Sequence, residues 1–142
     1  MTEQPRHSVS VAGVVVDEAG RALLIRRHDN GHWEPPGGIL ELNEDIEDGL
    51  RREVREETGL AVQPTALTGV YKNVVRGIVA LVFRCRATGG DLSISSETAE
   101  FRWAGAAEVA CLADPAYAVR VLDALEHAAP PAIRTHDGVQ LV

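Results

Sequence analysis

The chain is poor in several things, and each shortage removes a class of protein. It has two cysteines, one methionine, a single lysine (Lys72) and only 4% aromatic residues. Cys85 and Cys111 are too few for a disulfide framework and lack CxxC spacing, so a reducing, cytoplasmic setting is expected. No apolar run approaches the roughly eighteen residues needed to cross a bilayer, so no membrane partner is expected. "MTEQPRHSVS" lacks a basic stretch leading into an apolar one, so no secretory leader is expected. Positive charge is also short. With 14 Lys and Arg against 21 Asp and Glu, the formal net charge is −7, which argues against general nucleic-acid binding through a basic face. A small anionic ligand stays compatible with that balance if metal ions or local arginines supply positive charge.

What remains is an ordinary globular composition, 45% hydrophobic and 25% charged, over a length that suits one domain spanning residues 1–142. "SVSVAGVVVDEAGRALLIRR" reads as two strands joined by the turn Asp17-Glu18-Ala19-Gly20. "HDNGHWEPPGG" is a loop by its glycine and proline density. Helical periodicity runs from Asn43, the expected N-cap, to Thr58, with Gly59 placed to end the helix. "ALTGVYKNVV" and "GIVALVFRCRAT" read as a strand pair turning near Arg76-Gly77, and "AEFRWAG" as a further strand. Asp114-Pro115 opens a second helix to about His127. The tail, 129–142, is expected to be extended or to lie at a homodimer interface through its apolar end, Val139 to Val142. Strands, helix, strands, helix is the order of an α/β (α+β) fold in which a mixed β-sheet lies between helices.

The first helix carries an unusual charge pattern. At about 100° per residue, with Ile46 at 0°, Leu50 and Val54 fall near 40° and 80° and define an apolar stripe. Glu53 and Glu57 then fall at about −20° and +20°, and Glu56 at about −80°, on or beside the stripe. Gly49 lies among them, while Glu44, Asp48, Arg51 and Arg55 fall on the opposite, solvent side. A solvated charged face explains the second group and not the first. Two carboxylates about 4 Å apart repel by roughly 4 kcal/mol at an effective dielectric near 20. Arg52 answers part of that repulsion, and one arginine cannot neutralise three acids. Oxygen ligands with no nearby His or Cys cluster select a hard divalent cation, Mg²⁺ or Mn²⁺.

These residues resemble the box of the Nudix hydrolase family, G-x5-E-x7-R-E-U-x-E-E-x-G-U, with U a bulky aliphatic residue. Gly38, Glu44, Arg52, Glu53, Val54, Glu56, Glu57, Gly59 and Leu60 match every fixed position. "WEPPGG" is similar to the family's usual approach to the box, with Pro35 where Leu is more common. The resemblance implies a Nudix-type α/β/α sandwich and hydrolysis of a nucleoside diphosphate linked to another moiety, X. It implies Glu53, Glu56 and Glu57 as metal ligands, Arg52 as the residue that orients a glutamate, and Gly37 and Gly38 as the turn that lets backbone approach metal or phosphate. For the general base it leaves Glu53, Glu97 and Glu100, with Glu97 preferred. Arg27, at the end of the second strand, is the favoured phosphate contact.

The substrate is less legible. No proline stands about fifteen residues after Leu60, where ADP-ribose hydrolases of the family tend to carry one, and Tyr71 is too early for the dinucleoside polyphosphate marker. A nucleoside triphosphate pyrophosphohydrolase is the preferred reading, with an ADP-ribose or sugar-nucleotide pyrophosphatase as alternative. A non-catalytic ligand-binding regulator ranks below both, because every box acid is retained.

Overall fold

Alternation along the first strand, β1 (Ser8–Val15), sorts its side chains onto two faces, and the rest of the fold is built against them. In the computed structural model, which describes residues 3–126 and 129–142, Val11 and Val15 face one apolar cluster and Ala12 and Val14 the other. The following elements are β2 (Ala22–Arg27), β3 (Trp33–Glu34), β4 (Gly37–Ile39), α1 (Ile46–Thr58), β5 (Leu60–Asn73), β6 (Ile78–Gly90), β7 (Thr98–Ala104), α2 (Ala106–Leu112), α3 (Pro115–Glu126) and β8 (Ala132–His136). Leu50 and Val54 of α1 fill the cluster of Val11, Val15 and Cys85, whereas Val109 of α2 and Val121 of α3 fill that of Val14, Leu24 and Val82. The strands therefore lie between α1 on one side and α2 with α3 on the other, the expected sandwich. Each fully buried Leu or Val of this kind contributes about 1.5–3 kcal/mol.

Three details differ from the sequence expectation. The strands form two sheets: a five-stranded one in the order β4-β1-β6-β5-β8, and a three-stranded one in the order β3-β2-β7. The larger is mixed, because β1 runs parallel to β6 and β5 parallel to β8 while the other pairs are antiparallel. Secondly, "AAEVACL" forms α2, a short helix that composition alone did not mark. Thirdly, the tail, expected to be extended, pairs within the chain as β8, the edge strand of the larger sheet beside β5, and Val139 folds back so that its carbonyl accepts from the Ala116 amide. The anticipated helix end near His127 lies outside the described residues.

Helix α1 starts later than expected. Its N-cap is Asp45, not Asn43: the Asp45 carboxylate accepts from the Asp48 amide at 2.8 Å. Both residue types cap well, and capping from Asp45 leaves Glu44 outside the helix. Gly59 ends the helix as anticipated, at φ 83°, with its amide bonded to the Arg55 carbonyl. Among the described residues no helix is long and apolar enough to cross a membrane.

Candidate active site

Strand β4 brings backbone against the acids of α1. Gly37 and Gly38 pair with Ala12 and Val11 of β1. A Cβ on Gly37 would overlap the Val11 carbonyl and Ala12, so that position requires glycine for space, whereas one on Gly38 would meet the Glu53 carboxylate and displace it. The Gly37 amide donates to Glu57 Oε1 at 2.6 Å. Glu57 is 2% exposed. Its carboxyl is pushed up to about 8, first by burial and then, against the opposing Gly37 hydrogen bond, by the fields of Glu53, Glu34 and Glu97.

Arg52 gathers the other acids. Its Nε and Nη2 donate to the two oxygens of Glu44 at 2.9 and 2.6 Å, a bidentate pair. Its Nη1 reaches Glu53 Oε1 at 3.0 Å and Glu56 Oε2 at 3.3 Å. The helical wheel had sent Glu44 to solvent. Because Glu44 precedes the helix, its side chain folds back instead onto Arg52 and accepts from the Glu41 amide as well. Those bonds hold the Glu44 carboxyl well below the usual range, at about 2, with the Arg52 pair the largest cause. Burial raises Glu53, and Arg52 opposes that rise.

The remaining sequence candidates are placed as follows. Glu97 lies just before β7, and its charge acts on both Glu53 and Glu57. Glu100 pairs with Arg26 at 3.2 Å, across neighbouring strands. Arg27 lines the neighbouring cleft, but all three of its guanidinium nitrogens are engaged, Nε and Nη2 by Asp29 and Nη1 by Glu34.

The donor set around α1 is entirely carboxylate oxygen, with one buried acid opposed by the charge of its neighbours. That chemistry fits a hard divalent cation. The side chains do not yet converge on one point: Glu57 is turned to Gly37, while Glu53 and the 58% exposed Glu56 side chain are turned to Arg52. Among the described residues no three acidic, His or Cys groups gather closely enough to hold an ion as they stand.

Beside the acids lies a cleft of about 560 Å³, whose lining includes Gly37 and Gly38 together with Arg76, Arg120 and Gly138. The glycine pair thus joins acid cluster and cleft into one site. Its volume is within the usual range for a small-molecule pocket.

A NUDIX domain family description matches residues 6–125. The chain belongs to the Nudix family. A MutT-like protein of Streptomyces ambofaciens is 57% identical to this Nudix chain over 141 residues, 99% of this chain and 91% of that protein. An ADP-ribose pyrophosphatase of Methanocaldococcus jannaschii is 33% identical over 100 residues, 66% of this chain and 59% of that protein. In fold, the chain is similar to a NUDIX hydrolase from Nitrosomonas europaea, with a TM-score of 0.79 over 94% of this chain and 82% of that one, at 24% identity.

Three residues in or next to the candidate site escaped the sequence reading. Glu34, largely buried, bonds Arg27 and adds to the field on Glu57; its place directly before Pro35-Pro36 was the available signal. Arg120 and His136 meet at 3.1 Å inside the chain, from α3 and β8. Neither carries a sequence signal, because they meet only once β8 pairs with β5, against which Arg120 of α3 packs.

Proposed function

We propose that this Nudix hydrolase cleaves the phosphoanhydride of a nucleoside diphosphate linked to a further group X, with Mg²⁺ or Mn²⁺ held by Glu53, Glu56 and Glu57. The reading rests on one observation above the others: a buried acid, Glu57, bonded to the glycine backbone that borders the cleft. A bound divalent cation supplies charge neutralisation for the phosphate oxygens and a more acidic water.

The chain's own groups do the rest. Arg52 orients Glu53 and Glu56, and its grip on Glu44 fixes the guanidinium in place. Gly37 and Gly38 leave the diphosphate free to approach the backbone. Attack forms a bond from water oxygen to phosphorus, the bridging P–O bond breaks, and the leaving phosphate carries away the electron pair. The proton of the attacking water passes to a carboxylate, Glu97 by preference and Glu53 as the alternative. Arg27 serves the substrate by shaping the cleft wall through its pairs with Asp29 and Glu34.

Within this class the preferred substrate is a nucleoside triphosphate, cleaved to the monophosphate and pyrophosphate by one domain spanning residues 1–142. An ADP-ribose or sugar-nucleotide substrate is the second reading, favoured by the name of the Methanocaldococcus relative. Purified protein offered triphosphates, ADP-ribose and sugar nucleotides with Mg²⁺ separates the two. Monophosphate and pyrophosphate from a triphosphate support the first, and turnover confined to the others supports the second.

A further inference from the structure

Arg120 is 8% exposed and, among the described residues, forms no ion pair. Its guanidinium is packed against the rings of Tyr117, at 4.7 Å, and Tyr71, at 5.4 Å. Those π faces compensate part of the buried charge. The hydrogen bonds are not complete. Nε is buried without an acceptor among the described residues, and Nη1 makes no hydrogen bond there either. A buried donor left in this state costs about 1–3 kcal/mol.

The one partner of Arg120 is itself oversubscribed. His136 Nε2 lies 3.1 Å from Arg120 Nη2, while His136 Nδ1 takes the Gly138 amide at 3.0 Å. Burial first, and then Arg120, hold His136 toward its neutral form. A neutral imidazole has one acceptor nitrogen, and here two donors face it. Whichever tautomer forms, either the Gly138 amide or Arg120 is left without an acceptor.

The residues that carry both competing donors, Arg120 and Gly138, line the 560 Å³ cleft together with Gly37 and Gly38. Although Nε is sealed from the cleft, Arg120 and Gly138 together bring to its lining more N–H donors than His136 can accept. The cleft as a whole carries no surplus of positive charge: Arg27, Arg76 and Arg120 are matched in its lining by Asp29, Glu34 and Asp137. A neutral group offering acceptor atoms fits better than a second phosphate.

We propose that Arg120, with the Gly138 amide, is a specificity-determining element that reads a keto nucleobase, the O6/N7 edge of guanine or the O4 carbonyl of uracil or thymine. Adenine and cytosine turn an amino donor toward the same N–H groups and are disfavoured. The proposal deepens the hydrolase reading above and rests on it for the orientation of the nucleotide, with its phosphates at the glycine pair and its base toward Arg120.

The test measures metal-free binding of dGMP, dUMP, dAMP and dCMP by calorimetry, to the wild-type chain and to Arg120→Met and Arg120→Lys. Wild type should bind each keto monophosphate at least about tenfold tighter than its amino counterpart, and Arg120→Met should bring that ratio close to one. Arg120→Lys keeps the charge but loses the planar fork, and should lower the ratio several-fold; it serves as the deciding variant if Arg120→Met fails to fold. No preference in wild type, no detectable binding of any monophosphate, or an unchanged ratio in the folded variants overturns the proposal. A purely structural arginine would weaken keto and amino ligands alike. Because these ligands contain no anhydride, the base preference and the hydrolytic reading fail separately.

Discussion

The Gly37 amide and the Glu57 carboxylate are joined by a 2.6 Å hydrogen bond that ties strand β4 to the last turn of α1. Through it, the glycine-rich loop and the acids of the helix become one site. Glu57→Gln keeps an oxygen to accept from Gly37 and removes the charge. Its metal-dependent turnover should fall at least about a hundredfold. Its melting temperature without metal should equal or exceed wild type, because a neutral amide replaces a buried acid crowded by like charges. Added Mg²⁺ should raise the melting temperature of wild type and leave the variant unmoved, as thermal melts in both conditions would show.

The two glycines should respond differently to alanine. At Gly37 the new methyl meets the backbone of β1, which cannot step aside, so Gly37→Ala should lose about 1–3 kcal/mol of stability in urea unfolding. At Gly38 it meets the end of the Glu53 side chain. Gly38→Ala should unfold closer to wild type yet lose most of its activity. Equal stability losses would count against this placement of Glu53.

In the proposed reaction Arg52 acts through the acids it holds, not on the substrate. Arg52→Ala releases Glu44, Glu53 and Glu56 together, so the Mg²⁺ concentration for half-maximal rate should rise about 10–100-fold. Arg52→Lys should recover only part, since an ammonium cannot reproduce the bidentate pair with Glu44. A metal titration of the initial rate reads both variants.

The tail is anchored by a polar cluster. Asp123 on α3 accepts from the Tyr71 hydroxyl at 2.7 Å and from Arg134 of β8 at 2.7 and 2.8 Å. Tyr71→Phe should cost about 1 kcal/mol, one hydrogen bond. Asp123→Ala strands two donors, and with Arg134 partly exposed should cost about 2–3 kcal/mol. Hydrogen exchange should then be faster along β8 than along β1, because β8 lies at the sheet edge.

Local pattern revealed what depends on local chemistry. The apolar stripe of Leu50 and Val54, the acids beside it, the stop at Gly59 and the β5–β6 hairpin all follow from spacing and turn residues. The N-cap did not, because Asn43 and Asp45 are both good caps and two residues apart. That shift decided the fate of Glu44, which a wheel drawn through it sent to the wrong side. Strand β8 was hidden for another reason: "AIRTH" is short, follows two prolines, and gains its place only by pairing with β5. Arg120 lies on α3, a helix that its sequence marked only by the Asp114-Pro115 start. Its burial is created by Tyr71 and His136, residues from β5 and β8.

The central claim is that the acids of α1 hold a divalent cation that supports phosphoanhydride hydrolysis. Its most direct test is the release of nucleoside monophosphate from a nucleotide panel by wild type with Mg²⁺, by wild type with a chelator, and by Glu57→Gln with Mg²⁺. The expected result is turnover of at least one nucleotide in the first condition and none above background in the other two. Turnover that survives the chelator, or a full rate from Glu57→Gln, would contradict it.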